Sequence, residues 1–135
     1  MKSLLFFSHN NKKILEVEKI FNLKNIEIHN LKSFKKIKEP NENGLSFAEN
    51  AKIKSSFGLK NFNIPCFADD SGICIQAMKN EPGIKSKRFL DRFKTNENAF
   101  EYIISNVIKN KNDRAFFKTA ICLSIKKNHH IVFEG

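Results

Sequence analysis

The spacing of apolar residues at the start of the chain predicts a strand and then an amphipathic helix. The run Leu4–Phe7 is typical of a buried strand, and a polar turn follows it. A helix is predicted from about Asn11 to Asn22. Its apolar side chains recur at helical spacing, at Ile14, Val17, Ile20 and Phe21. A short second strand is predicted over Ile26–His29.

A long polar stretch and a capped helix come next. Residues 32–43 are rich in lysine and have no helical period, which predicts a mobile loop. Ser46 and Glu49 have the spacing of a capping box, whose side chains satisfy free backbone donors at a helix start and contribute roughly 1 kcal/mol. This pattern predicts a second helix that ends near Lys60.

The middle of the chain predicts two short strands around an acidic pair. A strand over Cys66–Ala68 leads into Asp69 and Asp70. Ser71-Gly72 then predicts a hairpin-like turn into a strand over Ile73–Met78. The two aspartates are therefore expected at the end of a strand.

The last third of the chain predicts one helix and two strands. An irregular basic segment is expected after Pro82-Gly83, a helix should begin near Thr95, and strands are predicted over Ala115–Ile125 and His130–Phe133. The apolar residues of the helix are Phe100, Ile103, Ile104, Val107 and Ile108. One face of the first strand collects Phe117, Thr119, Ile121, Leu123 and Ile125. Strands and helices without an internal repeat predict a single α/β domain over residues 1–135.

The net charge of +10 comes almost entirely from lysine. The lysines are scattered from Lys2 to Lys127, and the chain has three arginines, Arg88, Arg92 and Arg114. A nucleic-acid-binding face normally clusters its basic residues and includes arginine for bidentate phosphate contacts. A genome-wide codon bias therefore explains the many lysines better than a specific nucleic-acid-binding surface does. Salt-dependent, lysine-driven binding of nucleic acid is kept as an alternative.

The cysteines and the apolar runs bear on location. Cys66, Cys74 and Cys122 lie in apolar segments without zinc-site spacing, which predicts reduced, buried thiols. Residues 1–8 lack a signal-peptide cleavage site and are expected to form a strand. Because no apolar run approaches membrane-spanning length, the expected location is the cytoplasm, with no membrane partner.

Asp69 and Asp70 are the strongest candidates for chemistry because they follow an apolar run. Adjacent carboxylates repel one another and burial raises the cost of their charge, so a metal ion or a lysine usually accompanies them. Such oxygen ligands suit Mg²⁺, which commonly reaches its substrate through phosphate oxygens. An aspartic protease is the alternative, because Asp70-Ser71-Gly72 matches its catalytic triplet. At least three predicted helices argue against that mostly β architecture.

The turn between the first strand and the first helix is a candidate anion site. Residues 8–13 bring free backbone N–H groups together with the positive end of a helix dipole. The turn contains no glycine, so it is not a P-loop, and similar turns occur in proteins that bind nothing. Taken alone, Glu42 and Lys54 fit an ordinary loop acid and a solvated helix lysine.

Four segments together resemble the inosine/xanthosine triphosphate pyrophosphatase (ITPase) family. They occur in the family's order and at compatible spacings, which is more specific than any one of them. The segments are Ser8–Glu16, Asn43–Lys54, Ala68–Ile73 and Pro82–Phe89. The resemblance implies an α/β fold of the Maf/Ham-like type, in which helices flank a mixed central sheet.

The same resemblance implies an activity. Members of the family hydrolyse non-standard purine nucleoside triphosphates, such as inosine, deoxyinosine and xanthosine triphosphate, to the monophosphate and pyrophosphate, which cleans the nucleotide pool. It further implies Mg²⁺ as cofactor and a homodimer.

The resemblance also implies roles for residues of this chain. Asp70 matches the proton acceptor, and Glu42, Asp70 and the supporting acid Asp69 match the metal site. The positions implied to bind substrate are Ser8, His9, Asn10, Asn11, Lys12, Lys13, Lys54 and Ser71. Lys13 and Lys54 would stabilise the departing pyrophosphate while Asp70 deprotonates a water molecule.

The chain departs from the family pattern in three places. His9 and Lys12 occupy positions that are often glycine in the first segment. Lys85 and Lys87 replace the tyrosine and the small residue that are usual in the fourth segment. The late Phe-Gly-Tyr-Asp-Pro and Ser-His-Arg motifs, which hold the purine base in the family, do not occur in these 135 residues. We therefore expect a family domain that is truncated at its C-terminus. A non-catalytic remnant, or half of a split protein that binds nucleotide or a partner chain, is the alternative.

Overall fold

Helices and strands are interspersed through residues 3–135, which the computed structural model describes. The residues fall into two compact units, one running up to Asp70 and including Ala120–Glu134, the other formed by Ser71–Thr119 with Gly135. Met1 and Lys2, which the predicted domain and opening segment include, lie outside the described residues. The single domain stays a prediction. No helix in the described part of the chain is long and apolar enough to cross a membrane.

Most predicted elements are present, with boundaries shifted by a few residues. The strands are β1 (Ser3–Phe6), β2 (Glu27–Asn30), β3 (Cys66–Ile75), β4 (Glu81–Pro82), β5 (Ala115–Lys126) and β6 (His129–Glu134). The α-helices are α1 (Asn11–Asn22), α2 (Phe47–Phe62), α3 (Ser86–Leu90) and α4 (Asn96–Asn110). Short 3₁₀ helices span Leu31–Ser33, Gln76–Met78 and Gly83–Lys85.

The sheet is mixed, which confirms the predicted α/β fold class. Its strands are hydrogen-bonded in the order β2-β1-β3-β5-β6, and β4 pairs with β3. The strand β1 is parallel to both of its neighbours, whereas the β3–β4 and β5–β6 pairs are antiparallel. The chain passes from β1 to β2 on one side and then to β3 on the other, so the strand order reverses between β1 and β3. Open α/β sheets bind ligands at such a switch point, beyond the carboxyl ends of the strands.

Two small apolar cores cover the opposite faces of these strands within the first unit. On one face, Leu5, Phe7, Cys66 and Ala68 are buried against residues of α2, including Phe57 and Phe62. On the other face, Phe6, Ile14 and Phe67 are buried against Val17 and Phe21 of α1. Alternation of side chains along β1 and β3 therefore sends successive residues to different helices.

The hairpin predicted at Ser71-Gly72 is wrong, because β3 continues without a turn from Cys66 to Ile75. Glycine serves close packing at this position. A Cβ on Gly72 would lie 2.1 Å from the carbonyl oxygen of Gly83. Ser86 Oγ fixes this approach, because it accepts a hydrogen bond from the Ile73 amide at 3.0 Å and donates one to the Gly83 carbonyl at 2.6 Å.

Two further expectations need correction. The segment after Gly83 is not irregular, since it forms a 3₁₀ turn and α3. Residues 76–78, predicted as strand, form a 3₁₀ helix. Along β5, the buried alternation is Ala120, Cys122 and Ser124, while Phe117 on the more apolar face is exposed. Size and hydrophobicity alone therefore do not identify the buried face of this strand.

Candidate active site

The two adjacent aspartates lie on opposite faces of β3. Asp70 follows Cys66 and Ala68 in the alternation that faces α2, whereas Asp69 follows Phe67 in the alternation that faces α1. Their contacts match these two faces. Asp69 is ion-paired with Lys13 of α1, and Asp70 accepts a hydrogen bond from Asn50 of α2. The structure thus gives the two carboxylates different neighbours.

Asp70 has a tightly defined polar environment. Its Oδ2 accepts a hydrogen bond from Asn50 Nδ2 at 3.0 Å, and its Oδ1 lies 3.8 Å from Lys54 Nζ. Burial raises the pKa of the Asp70 carboxyl above its ordinary value, and the charges of Glu42 and Asp69 raise it further. The Asn50 hydrogen bond and the Lys54 ammonium oppose this rise. A carboxylate with a raised pKa is suited to accept a proton.

Glu42 and Asp70 meet at one amine although 28 positions separate them in sequence. Lys54 Nζ lies 3.1 Å from Glu42 Oε2 and 3.8 Å from Asp70 Oδ1. Glu42 comes from the irregular segment before α2, Lys54 from the second turn of that helix, and Asp70 from β3. Three elements therefore converge on a site with two negative groups and one positive group.

The chemistry of this donor set fits Mg²⁺. Within residues 3–135, no group of three or more His, Cys, Asp or Glu side chains is arranged to hold a metal ion. Magnesium does not require such a cage, because it is usually held by one or two carboxylates together with water and substrate phosphates. Glu42 and Asp70 both contact one positively charged group, the Lys54 ammonium. They are the residues that could hold the metal ion.

The turn after β1 lies beside the first half of β3. The Phe7 amide donates to the Phe67 carbonyl at 2.9 Å, so the turn begins beside the strand that carries Asp69 and Asp70. Asn10 caps α1, because its Oδ1 accepts from the amides of Lys12 at 3.0 Å and Lys13 at 3.3 Å.

Other predicted substrate-binding residues have local contacts. Ser8 Oγ accepts a hydrogen bond from the Asn10 amide at 3.2 Å, and His9 Nε2 lies 2.8 Å from Glu39 Oε1. Asn11 and Lys12 are exposed at the start of α1. Ser71 belongs to the second unit, where its Oγ accepts from Thr119 Oγ1 at 3.0 Å.

A pocket of about 250 Å³ opens beside the turn. Ser8 and His9 line it together with apolar residues such as Phe34 and Phe62, and with three lysines of the segment after β2. Glu42, Lys54 and Asp70 do not line this pocket. Of the residues that line the pocket, His9 is the one that could accept a proton at neutral pH, whereas Glu42 and Asp70 offer two carboxylates outside it.

Asn50 is a site residue that sequence reasoning missed. It is 1% exposed, although asparagine is usually at the surface. The sequence contained a sign of this role, because Asn50 is a polar residue among the buried positions of α2, one turn before Lys54. Pattern alone did not show which group it would contact.

Comparisons with known proteins match nearly the whole chain to one family. The model of the Ham1 family matches residues 4–135. The dITP/XTP pyrophosphatase of Borrelia garinii subsp. bavariensis is 39% identical over 142 residues, which cover 100% of this chain and 68% of that protein. The dITP/XTP pyrophosphatase of Christiangramia forsetii is 31% identical over 132 residues, with coverages of 98% and 68%.

Solved structures give the same result. The Ham1 protein of Staphylococcus aureus matches with a TM-score of 0.86 and 30% identity, over 99% of this chain and 69% of that one. A nucleoside-triphosphatase, also titled dITP/XTP pyrophosphatase, from Mycobacterium abscessus matches with a TM-score of 0.82 and 28% identity, over 98% and 71%. The family model and these likenesses extend over nearly every described residue, and the chain belongs to the Ham1 family.

Proposed function

We propose that this chain hydrolyses non-standard purine nucleoside triphosphates, such as deoxyinosine, inosine and xanthosine triphosphate, with Mg²⁺ as cofactor. The products would be the nucleoside monophosphate and pyrophosphate. The observation that carries the proposal is that Glu42, Lys54 and Asp70 meet beside the middle of β3. The names of the relatives supply the substrate class.

Asp70 is the proposed proton acceptor. It would orient a water molecule and take its proton as the water oxygen bonds to the α-phosphorus and the bond from that phosphorus to the bridging oxygen breaks. Its raised pKa supports this role, because a proton acceptor works best when its pKa approaches the working pH.

Glu42 and Asp70 are the residues proposed to hold Mg²⁺, which, when bound, neutralises charge on the phosphate oxygens. Asp69 as a supporting ligand stays a prediction, and its ion pair with Lys13 suggests that it also holds that lysine beside the turn. Lys13 and Lys54 would face the phosphates and stabilise departing pyrophosphate. Lys54 must then exchange its carboxylate partners for phosphate oxygens when substrate binds.

The remaining turn residues, Ser8 to Lys12, and Ser71 are proposed to contact substrate. A homodimer is part of the proposal on the basis of the family resemblance alone. The proposed location is the cytoplasm, and the three free, buried cysteines support a reducing compartment.

The direct test is release of pyrophosphate from deoxyinosine, inosine and xanthosine triphosphate, with ATP and GTP as comparison substrates. Activity should require added Mg²⁺ and disappear in excess EDTA. The variant Asp70→Asn should lower kcat by about 100-fold or more, because it removes the proton acceptor. Asp91→Asn, an exposed aspartate in the second unit, is the matched control and should retain the rate.

Two results would overturn the proposal. One is a folded, magnesium-loaded chain that releases no pyrophosphate from any of the three substrates. The other is an Asp70→Asn variant with an unchanged rate. Binding of the nucleotide without release of pyrophosphate would favour a non-catalytic nucleotide-binding chain.

A further inference from the structure

Asn50 joins two parts of the proposed metal site through opposite ends of one side chain. Its Nδ2 donates to Asp70 Oδ2 at 3.0 Å, and its Oδ1 accepts from the Gly44 amide at 2.9 Å. The side chain is 1% exposed, so water does not replace either bond easily. A carboxamide suits this position because one end only donates and the other only accepts.

Gly44, the partner of Asn50 in the loop, lies at a position where only glycine fits without a close contact. A Cβ on Gly44 would lie 2.7 Å from Asn50 Oδ1 and 2.7 Å from Glu49 Cβ, so a larger residue would push the loop away from α2. Gly44 comes two residues after Glu42, in a segment without helix or strand. Such a segment depends on a few specific bonds for its position. The bond to Asn50 therefore limits how far Glu42 can move from Asp70.

The same side chain also orients the Asp70 carboxylate. With Oδ2 bonded to Asn50, Oδ1 is directed towards Lys54, which in turn contacts Glu42. The distance between the two carboxylates and the direction of their oxygens thus depend on one buried amide.

We propose that Asn50 is a positioning residue that pre-forms the Glu42–Asp70 cation site by binding Asp70 and the Gly44 backbone at the same time. This inference rests on the proposed function only in taking Glu42 and Asp70 as the ligands of a divalent cation. Asn50 itself is not assigned a contact with substrate.

The test measures binding of Mn²⁺ alone by electron paramagnetic resonance, in the full chain without nucleotide. Asn50→Ala and Gly44→Ala should each weaken Mn²⁺ affinity by about tenfold or more, as loss of groups that orient metal ligands commonly does. Both variants disturb the same clamp, which is the pair of hydrogen bonds from Asn50 to Asp70 and to the Gly44 amide. The double variant should therefore bind Mn²⁺ little more weakly than the single variant that has the lower affinity. Hydrogen exchange in peptides covering residues 41–46 should rise in all three.

Ser55→Ala is the matched control for general loosening of α2. Ser55 is also buried on this helix, and its Oγ lies 2.8 Å from Ser124 Oγ on β5, away from the clamp. Its loss should lower the melting temperature but change Mn²⁺ affinity by less than about twofold. Should Asn50→Ala fail to fold, Gly44→Ala still tests the inference, because it alters a half-buried loop position.

The inference is overturned if Asn50→Ala or Gly44→Ala folds and keeps both the parent Mn²⁺ affinity and the parent exchange over residues 41–46. It is also overturned if Ser55→Ala weakens Mn²⁺ binding as much as they do. A parent chain that binds Mn²⁺ but releases no pyrophosphate would defeat the proposed function alone. If the parent chain binds no Mn²⁺, the cation assignment fails, and hydrogen exchange alone decides whether Asn50 fixes the loop.

Discussion

At the scale of single residues, a strand gives neighbours in sequence different roles. Asp69 and Asp70 are adjacent, yet one contacts Lys13 on α1 and the other contacts Asn50 on α2. From the sequence alone they form one acidic pair, because the predicted strand ends before them. Once β3 is known to continue to Ile75, the alternation of side chains accounts for their separation.

The ionised Asp70 carboxylate is expected to lower the stability of the folded chain, and replacing Asp70 tests this. Its folded-state pKa is raised above the ordinary value of 3.8, so ionisation at neutral pH costs more in the folded than in the unfolded chain. In the absence of metal, Asp70→Asn should therefore melt at a temperature a few degrees higher at pH 7, given that 1 kcal/mol corresponds to roughly 2–8 °C in domains of this range of size. Thermal melts in EDTA between pH 4 and pH 8 measure the effect.

The sign of the pH dependence follows from the direction of the shift. A raised pKa favours the folded state below the unfolded pKa, and this advantage is lost as pH rises through the folded pKa. The difference between Asp70→Asn and the parent chain should thus be largest at neutral pH and shrink towards pH 4. The exposed control Asp91→Asn should differ from the parent by less than about 0.5 kcal/mol. A lower melting temperature for Asp70→Asn at pH 7 would contradict the raised pKa.

At the scale of elements, α2 is the helix that organises the candidate site. Ser46 caps it, because Ser46 Oγ accepts from the Glu49 amide at 3.1 Å, and Glu49 Oε2 accepts from the Leu45 amide at 2.6 Å. The predicted capping-box spacing therefore located the start of the helix. Asn50 and Lys54 lie four residues apart on one face, which brings both to Asp70.

Gly58 sets how closely α2 approaches the sheet. A Cβ at this position would lie 2.4 Å from Cys66 Sγ and 3.0 Å from Phe7 Cδ2. Gly58→Ala should therefore destabilise the protein by about 1–3 kcal/mol of overpacking, which exceeds the gain of at most about 1 kcal/mol in helix propensity. Urea unfolding followed by circular dichroism measures the change.

The clash at Gly58 can be relieved from the other side. Removing the sulfur in the double variant Gly58→Ala/Cys66→Ala should recover part of the loss relative to the sum of the single variants, because the two sites are in contact. Lys60→Ala, at an exposed position of the same helix, serves as control and should change stability by less than about 0.5 kcal/mol. A Gly58→Ala variant more stable than the parent would show that the helix is free to move outward.

The features that were predicted wrongly from the sequence have one physical reason in common. Ser71-Gly72 has the composition of a turn, but Gly72 is required by the carbonyl of Gly83, eleven residues further along the chain. Ser86 likewise bonds both to the Ile73 amide and to the Gly83 carbonyl. Contacts between distant segments decide such positions, and local propensity does not contain them.

At the scale of the whole molecule, hydrophobic periodicity predicted element types better than it predicted burial. The helix α4 forms as expected, yet Phe100, Ile104 and Ile108 of its apolar face are exposed, and Ala99 is its buried residue. The α/β class and the mixed sheet followed from the alternation of elements and the family resemblance. Which face each element buries depends on its neighbours in the fold, which the period of a single segment does not specify.

The three cysteines provide a probe of global opening, because they are free and buried in both units. Cys66 is fully buried, and burial together with the nearby Cys122 raises the pKa of its thiol to about 12. At pH 8 the reactive thiolate is therefore scarce at Cys66 and accessible only after unfolding. Ellman's reagent should modify no thiol rapidly in the native chain and all three in urea.

The rate of this modification should then follow the population of open molecules. Gly58→Ala, which weakens the packing around Cys66, should accelerate modification in proportion to its loss of stability, provided that opening and closing are fast relative to labelling. A divalent cation with nucleotide should slow it, because ligands that bind only the folded state lower the open population. A Cys66 thiol that reacts at once in the native chain, with no change on adding ligand, would contradict the burial of Cys66 and the closed packing between α2 and β3.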